Sequence, residues 1–188
     1  AEYLPGSDLA SGMVAIQFLG IVGGDRAARA ILEAARDEAL AELALRALEE
    51  LGSAAEEALD ASWTGLDAAL RGVLCRSFGA TGGDVARRRL RLALDDGDGA
   101  TRIAAIEALG RLRCADAGAA IVRRIELAAP DPETADETRA AIEALAAIGA
   151  EGPEETRTAL VEDLMGRVEG ASEGYRQATA TLVGRIGR

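Results

Sequence analysis

Residues 95–99 read Asp-Asp-Gly-Asp-Gly and lead into Ala100, Thr101 and an apolar run. Carboxylates spaced two apart, with glycines between them, suit calcium. A helix–loop–helix calcium site takes oxygens from alternate loop positions, a turn glycine at the sixth and a glutamate at the twelfth. Counted from Asp96, Asp98 is third and Glu107 twelfth, but Ala100 and Thr101 stand where a ligand and the turn glycine are needed. Residues 101–112 also carry helical apolar spacing, and a helical backbone cannot wrap an ion. The expectation is a turn between helices, with Asp98 near the N-terminus of the second. A negative charge there is worth a few tenths to about 1 kcal/mol.

Other chemistry is thin. The chain has no histidine, which removes Ser–His and Cys–His catalysis and most catalytic zinc sites. No phosphate-binding glycine motif sits in a strand-to-helix context. Adjacent acids (Glu49 and Glu50, Glu56 and Glu57, Glu154 and Glu155, Glu162 and Asp163) read as solvated helix faces, because a general acid needs an apolar pocket. Cys75 and Cys114 are too few for a secreted disulfide framework and read as reduced core thiols of a cytoplasmic protein. No catalytic residue, metal or cofactor is assigned.

Charge is distributed regionally. All 21 basic residues are arginine, against 32 acids, a net of −11. Such a surface repels nucleic acid and anionic membrane. Residues 1–66 hold 12 acids and 4 Arg; residues 67–129 hold 8 and 11; residues 130–188 hold 12 and 6. The basic middle is sharpest at 86–94. There a helical wheel puts Arg87, Arg88 and Arg91 on one side, opposite Ala86, Leu90 and Ala93, and Arg89 inside the apolar arc. Arg87, Arg88 and Arg91 are the candidate docking patch for an acidic protein surface. Arg89 is expected to snorkel or to pair with an acid.

The elements that must carry these residues repeat. An alanine followed four residues later by an aliphatic residue recurs at Ala15/Leu19, Ala44/Leu48, Ala69/Val73, Ala105/Leu109, Ala141/Leu145 and Ala178/Leu182, the later copies 36 or 37 residues apart. A spacing of four puts both on one helix face, and a period of this length marks a helical solenoid. A second set of helices lies between, at 25–38, 53–63, 83–96, 116–129 and 152–168. Ser53 with Glu56 reads as a capping box. Asp25, Asp84 and Asp116 read as N-caps, and Thr134 or Asp136 as the cap after the Pro130–Pro132 stop. Pro153 suits a first helical position, and Gly23, Gly52 and Gly149 suit helix ends.

The stretches TRIAAIEALGRL (101–112) and TRAAIEALAAIG (138–149), each after an Asp-rich or Pro-rich turn, resemble the HEAT-like repeats of bacteria, the class that includes the phycobilin lyases. The resemblance implies an all-α fold: a right-handed α-solenoid of about five helical hairpins and a terminal helix. The repeats fall at about 7–38, 39–64, 65–97, 98–130 and 133–169, with the last helix at 172–188, in one domain that could be an excerpt of a longer chain. Fold resemblance does not fix activity. The expected function is a non-catalytic protein-interaction scaffold in bacterial signalling or assembly. The alternatives are a bilin lyase-like enzyme, which the scarcity of aromatics opposes, and a nucleic-acid binder, which the acidity opposes.

The first helix is unusual. Residues 12–23 are apolar on every side, where a terminal repeat should turn a polar face outward. That predicts an exposed or self-associated N-terminal face. The uncharged run between Asp8 and Asp25 is too short and glycine-rich to cross a membrane. No basic leader segment is visible.

Overall fold

The computed structural model describes residues 9–129, 131 and 134–186. Among them there is no strand, and the chain is all-α. The helices are α1 (Leu9–Val22), α2 (Asp25–Ala34), α3 (Glu38–Leu51), α4 (Glu56–Asp60), α5 (Ala68–Thr81), α6 (Asp84–Ala93), α7 (Gly99–Arg111), α8 (Gly118–Ala128), α9 (Ala135–Glu151), α10 (Glu154–Gly166) and α11 (Glu173–Ile186). Contacts gather into two compact units, Ala1–Arg89 and Leu90–Arg188. In the first, α3 packs against α1, α2 and α5, and α2 also meets α4. In the second, α9 packs against α7, α8, α10 and α11.

Local chemistry sets the helix starts. Asp37, Asp67 and Asp98 are the N-caps of α3, α5 and α7, accepting the N–H of Ala39 at 3.0 Å, Leu70 at 3.0 Å and Thr101 at 2.7 Å. Each satisfies a donor that the helix leaves open. The helix ends use the left-handed backbone that glycine adopts freely: Gly23, Gly52 and Gly82 have φ of 68°, 63° and 66° after α1, α3 and α5. After α7 the same role falls to Arg113, with φ 48°, the one non-glycine residue at positive φ among the described residues.

The repeat frame lies in the core where expected for α3, α7, α9 and α11: Ala44, Leu48, Ala105, Leu109, Ala141, Leu145, Ala178 and Leu182 are all buried. In α5 the register moves by one. Ala69 is exposed; Val73 is buried as expected, but Leu70 and Leu74 are the more deeply buried pair. In α1 the anchors Ala15 and Leu19 are only half-buried and Ile16 takes the inner position, α1 packing mainly on α2 and α3.

Several expected caps are replaced by contacts between helices. Ser53 makes no capping bond. Glu56, almost wholly buried, reaches to the start of α6 instead and accepts from Gly83 N–H at 2.9 Å, Ala86 N–H at 3.1 Å and the Thr81 hydroxyl at 2.6 Å. Asp25 and Asp84 are first helical residues rather than caps. Asp116 lies in a short 3-10 turn, pairs with Arg91 and accepts from the Cys114 thiol at 2.9 Å. Pro153 is the N-cap of α10, one position earlier than expected. Thr134 is the N-cap of α9 but turns its hydroxyl back to the Ala128 and Asp131 carbonyls. Gly149 is inside α9, where a Cβ would stand 3.0 Å from Ile186 Cδ1, so it serves close packing rather than a helix end. The expected stop at Pro130 and Pro132 lies outside the described residues.

Candidate functional site

The Asp-rich turn is held by a guanidinium. Arg102, one turn into α7, folds back so that Nη1 donates to the carbonyls of Asp96 at 2.9 Å and Gly97 at 3.2 Å. The Asp96 carboxylate accepts the Asp98 N–H at 2.9 Å, and Asp98 accepts both the N–H and the hydroxyl of Thr101. These bonds to the helix hold the Asp98 carboxyl below its ordinary range, the backbone bond from Thr101 being the largest cause. Glu107 is exposed in the middle of α7. The turn's acceptors serve the hairpin, and no group of three metal-ligating side chains occurs among the described residues.

The rest of Arg102 joins a buried ion cluster that the sequence reading passed over. Glu137 of α9 accepts from Arg102 Nε and Nη2 at 3.0 and 2.7 Å, and from Arg124 Nε and Nη2 at 2.8 and 2.6 Å. Burial pushes the Glu137 carboxyl up, but the bonds from Arg102 and Arg124 outweigh it and hold the group below its ordinary value. With every lone pair used, the cluster ties α7, α8 and α9 together. It offers no general acid.

The candidate arginines all stand on α6. Arg87 Nε donates to the Gly82 carbonyl at 2.9 Å. Arg88 Nη2 lies 3.7 Å from Asp60, and Arg91 pairs with Asp116. Arg89, which the wheel placed in the apolar arc, pairs with Asp60 and lays its guanidinium 5.2 Å from the centre of the Trp63 ring; Arg71 does so at 5.7 Å. Trp63 is buried under this cover, as is Tyr175, whose hydroxyl donates to the Leu164 carbonyl at 3.3 Å.

Among the described residues, most of the exposed large apolar side chains are on α1. Ile21, Val14, Phe18 and Val22 are 86, 65, 63 and 61% exposed, and Leu9 and Met13 more than 40%. The helix has no charged residue over its 14 positions. Only Gly12 and Ile16 are buried. Beside it runs a groove of about 370 Å³, with Gly20, Leu43 and Ala47 along it and Arg46 and Glu50 at its edge. Small residues leave it open: a Cβ on Gly20 would lie 3.7 Å from the Ala47 Cβ, in ordinary contact. Exposed contiguous apolar residues of this kind mark interaction surfaces.

No family model matches the chain, and no curated protein matches it. Among solved structures it is similar to an engineered protein from the Northeast Structural Genomics Consortium, with a TM-score of 0.50 over 98% of this chain and 93% of that one. The two are 18% identical. The likeness is one of fold alone.

Proposed function

We propose that the chain is a non-catalytic protein-interaction module of the bacterial HEAT-like kind, working in the cytoplasm. Its hairpins would stack as a right-handed α-solenoid. Support comes from the order of packing within each unit: α1 on α3 on α5 in the first, and α7 on α9 on α11 in the second, with α2 on α4 and α8 on α10 beside them. Stacked hairpins make long surfaces that bind other proteins. No helix among the described residues is long and apolar enough to cross a membrane, which favours a protein partner for the apolar face over a bilayer span. The inward placement of Trp63 and Tyr175 favours this reading over a bilin lyase, which needs aromatics against its chromophore.

The observation that carries the proposal is the bare apolar face of α1. The arginines of α6 are the second, subsidiary surface, fitted to acidic partners. A pull-down from the source organism's lysate tests both. Phe18→Glu with Ile21→Glu should abolish recovery of the main partner, because both side chains are exposed and the change leaves the core intact. Arg87→Glu, Arg88→Glu and Arg91→Glu should weaken acidic partners only. Unchanged recovery with both variants overturns the proposal.

A further inference from the structure

We infer that the turn between α6 and α7 holds a site of spontaneous covalent modification: Asp96 isomerises to isoaspartate through a cyclic imide with Gly97, while the fold protects the neighbouring Asp98–Gly99 pair. The inference is independent of the interaction reading.

The reaction needs only an aspartate followed by an unhindered amide. The backbone nitrogen of the next residue attacks the carbon of the protonated side-chain carboxyl. The amide proton and the carboxyl hydroxyl leave as water, and a five-membered imide closes. Water then adds to either imide carbonyl and opens the ring to aspartate or isoaspartate. The water lost in the first step is regained in the second, so no co-reactant is required. Glycine favours closure because no Cβ shields its nitrogen. The chain has two Asp–Gly pairs, and both lie in this turn.

The fold treats the two pairs differently. The Asp98 carboxylate accepts the N–H and the hydroxyl of Thr101 at 2.7 and 3.0 Å. Its ψ of 128° sets the Gly99 nitrogen away from the Asp98 Cβ, and Gly99 is already the first residue of α7. Closing the ring there would unwind the helix start. The bonds to Thr101 also keep Asp98 ionised to lower pH, and an ionised carboxylate is the poorer electrophile.

At the first pair the constraints are reversed. Gly97 is exposed and lies outside both helices. Its N–H makes no hydrogen bond among the described residues, and a Cβ on it would meet nothing within 4 Å. The Asp96 carboxylate accepts the Asp98 N–H at 2.9 Å, which bends the side chain towards the backbone that follows it. Arg102 adds activation. Its Nη1 donates to the Asp96 carbonyl at 2.9 Å, the oxygen of the same amide whose nitrogen attacks. A guanidinium on that oxygen stabilises the negative charge the amide gains as its proton leaves. The product carries an extra methylene in the main chain, which draws the Asp96 carbonyl away from Arg102 and loosens the turn.

Incubation of the whole chain at mildly acidic pH, folded and in urea, tests this. Trypsin releases the turn as Leu92–Arg102. Isoaspartate in that peptide shows as a chromatographic shift without a change of mass, and as resistance to an aspartate-directed protease at the altered position. In the folded chain position 96 should convert severalfold faster than position 98, whereas in urea the two should react alike. Asp96→Asn passes through the same imide and should deamidate severalfold faster than Asp98→Asn in the folded chain. Gly97→Ala, which the open space admits, should suppress conversion at position 96 without changing the circular dichroism. Equal rates at the two positions of the folded chain overturn the inference. So does an unchanged Asp96 while the urea control reacts, or an Asp96→Asn chain as durable as Asp98→Asn.

Discussion

Glu56 lies at the start of α4, yet its carboxylate accepts the backbone N–H of Gly83, 27 residues away, at 2.9 Å. One buried side chain closes the N-terminus of α6 by this bond and the one from Ala86. A Cβ on Gly83 would come 2.3 Å from Glu56 Oε2, so the glycine is there to admit the carboxylate. The helix dipole and two orphan N–H groups make that carboxylate a strong partner.

Glu56→Ala should therefore cost about 2–3 kcal/mol, since it leaves donors at a helix start unsatisfied. Gly83→Ala should cost a similar amount by displacing the same carboxylate, and the double variant should cost little more than either alone. Urea denaturation of the four proteins checks this; additive losses would show that the two residues act separately.

The Arg102–Glu137–Arg124 cluster sets the acid limit. Glu137 is held below its ordinary value in the folded chain. Its contribution is therefore full above the unfolded carboxylate value of about pH 4.3 and is lost as pH falls through the folded value. Asp98 and Asp67, both lowered chiefly by backbone N–H bonds, act in the same direction. Glu137→Gln should cost about 3 kcal/mol at pH 7 by leaving two largely buried guanidinium groups uncompensated, and should flatten the loss of stability between pH 5 and pH 3. Denaturant midpoints across that range give the comparison. A Glu137→Gln chain as acid-sensitive as the wild type would place the acid limit elsewhere.

Arg113 holds a backbone conformation that favours glycine. Its N–H donates to the Gly110 carbonyl at 3.0 Å and the next N–H, of Cys114, to the Leu109 carbonyl at 3.1 Å, so the hairpin depends on the turn being kept. Arg113→Gly should raise stability by about 0.5–1 kcal/mol, glycine paying no steric cost there. Thermal unfolding reads this directly, and a lower midpoint would contradict it.

Gly110 sits at a close approach of α7 to α9: a Cβ there would stand 2.7 Å from the Ala144 Cα. Gly110→Ala must push one backbone away from the other and should cost about 1–3 kcal/mol. A neutral outcome by urea denaturation would mean that the two helices are less closely packed than described.

The second half of the fold was more legible than the first for a physical reason. In α7, α9 and α11 the alanine and leucine anchors face packed neighbours, so burial follows the sequence period. In α5 the expected Val73 is buried but Ala69 is not, and the deepest pair is Leu70 and Leu74, one position on. Leucine in place of alanine at the inner position hid the register. The bare face of α1 was readable because every side of that helix is apolar. Glu56, Arg102 and Glu137 were not readable as partners: each meets residues of another helix, and no local spacing encodes a bond made across 27 or 35 residues. The candidate Arg87, Arg88 and Arg91 were placed correctly on one helix, but their ties to Gly82, Asp60 and Asp116 depend on neighbours that a helical wheel does not contain.

The most direct test of the interaction reading is hydroxyl-radical labelling of Met13, Phe18 and Ile21, in dilute purified protein and in lysate of the source organism. The account predicts high reactivity at all three when dilute and strong protection when partners are present, with the buried Phe78 unreactive in both. Equal, high labelling of the α1 face under both conditions would contradict it.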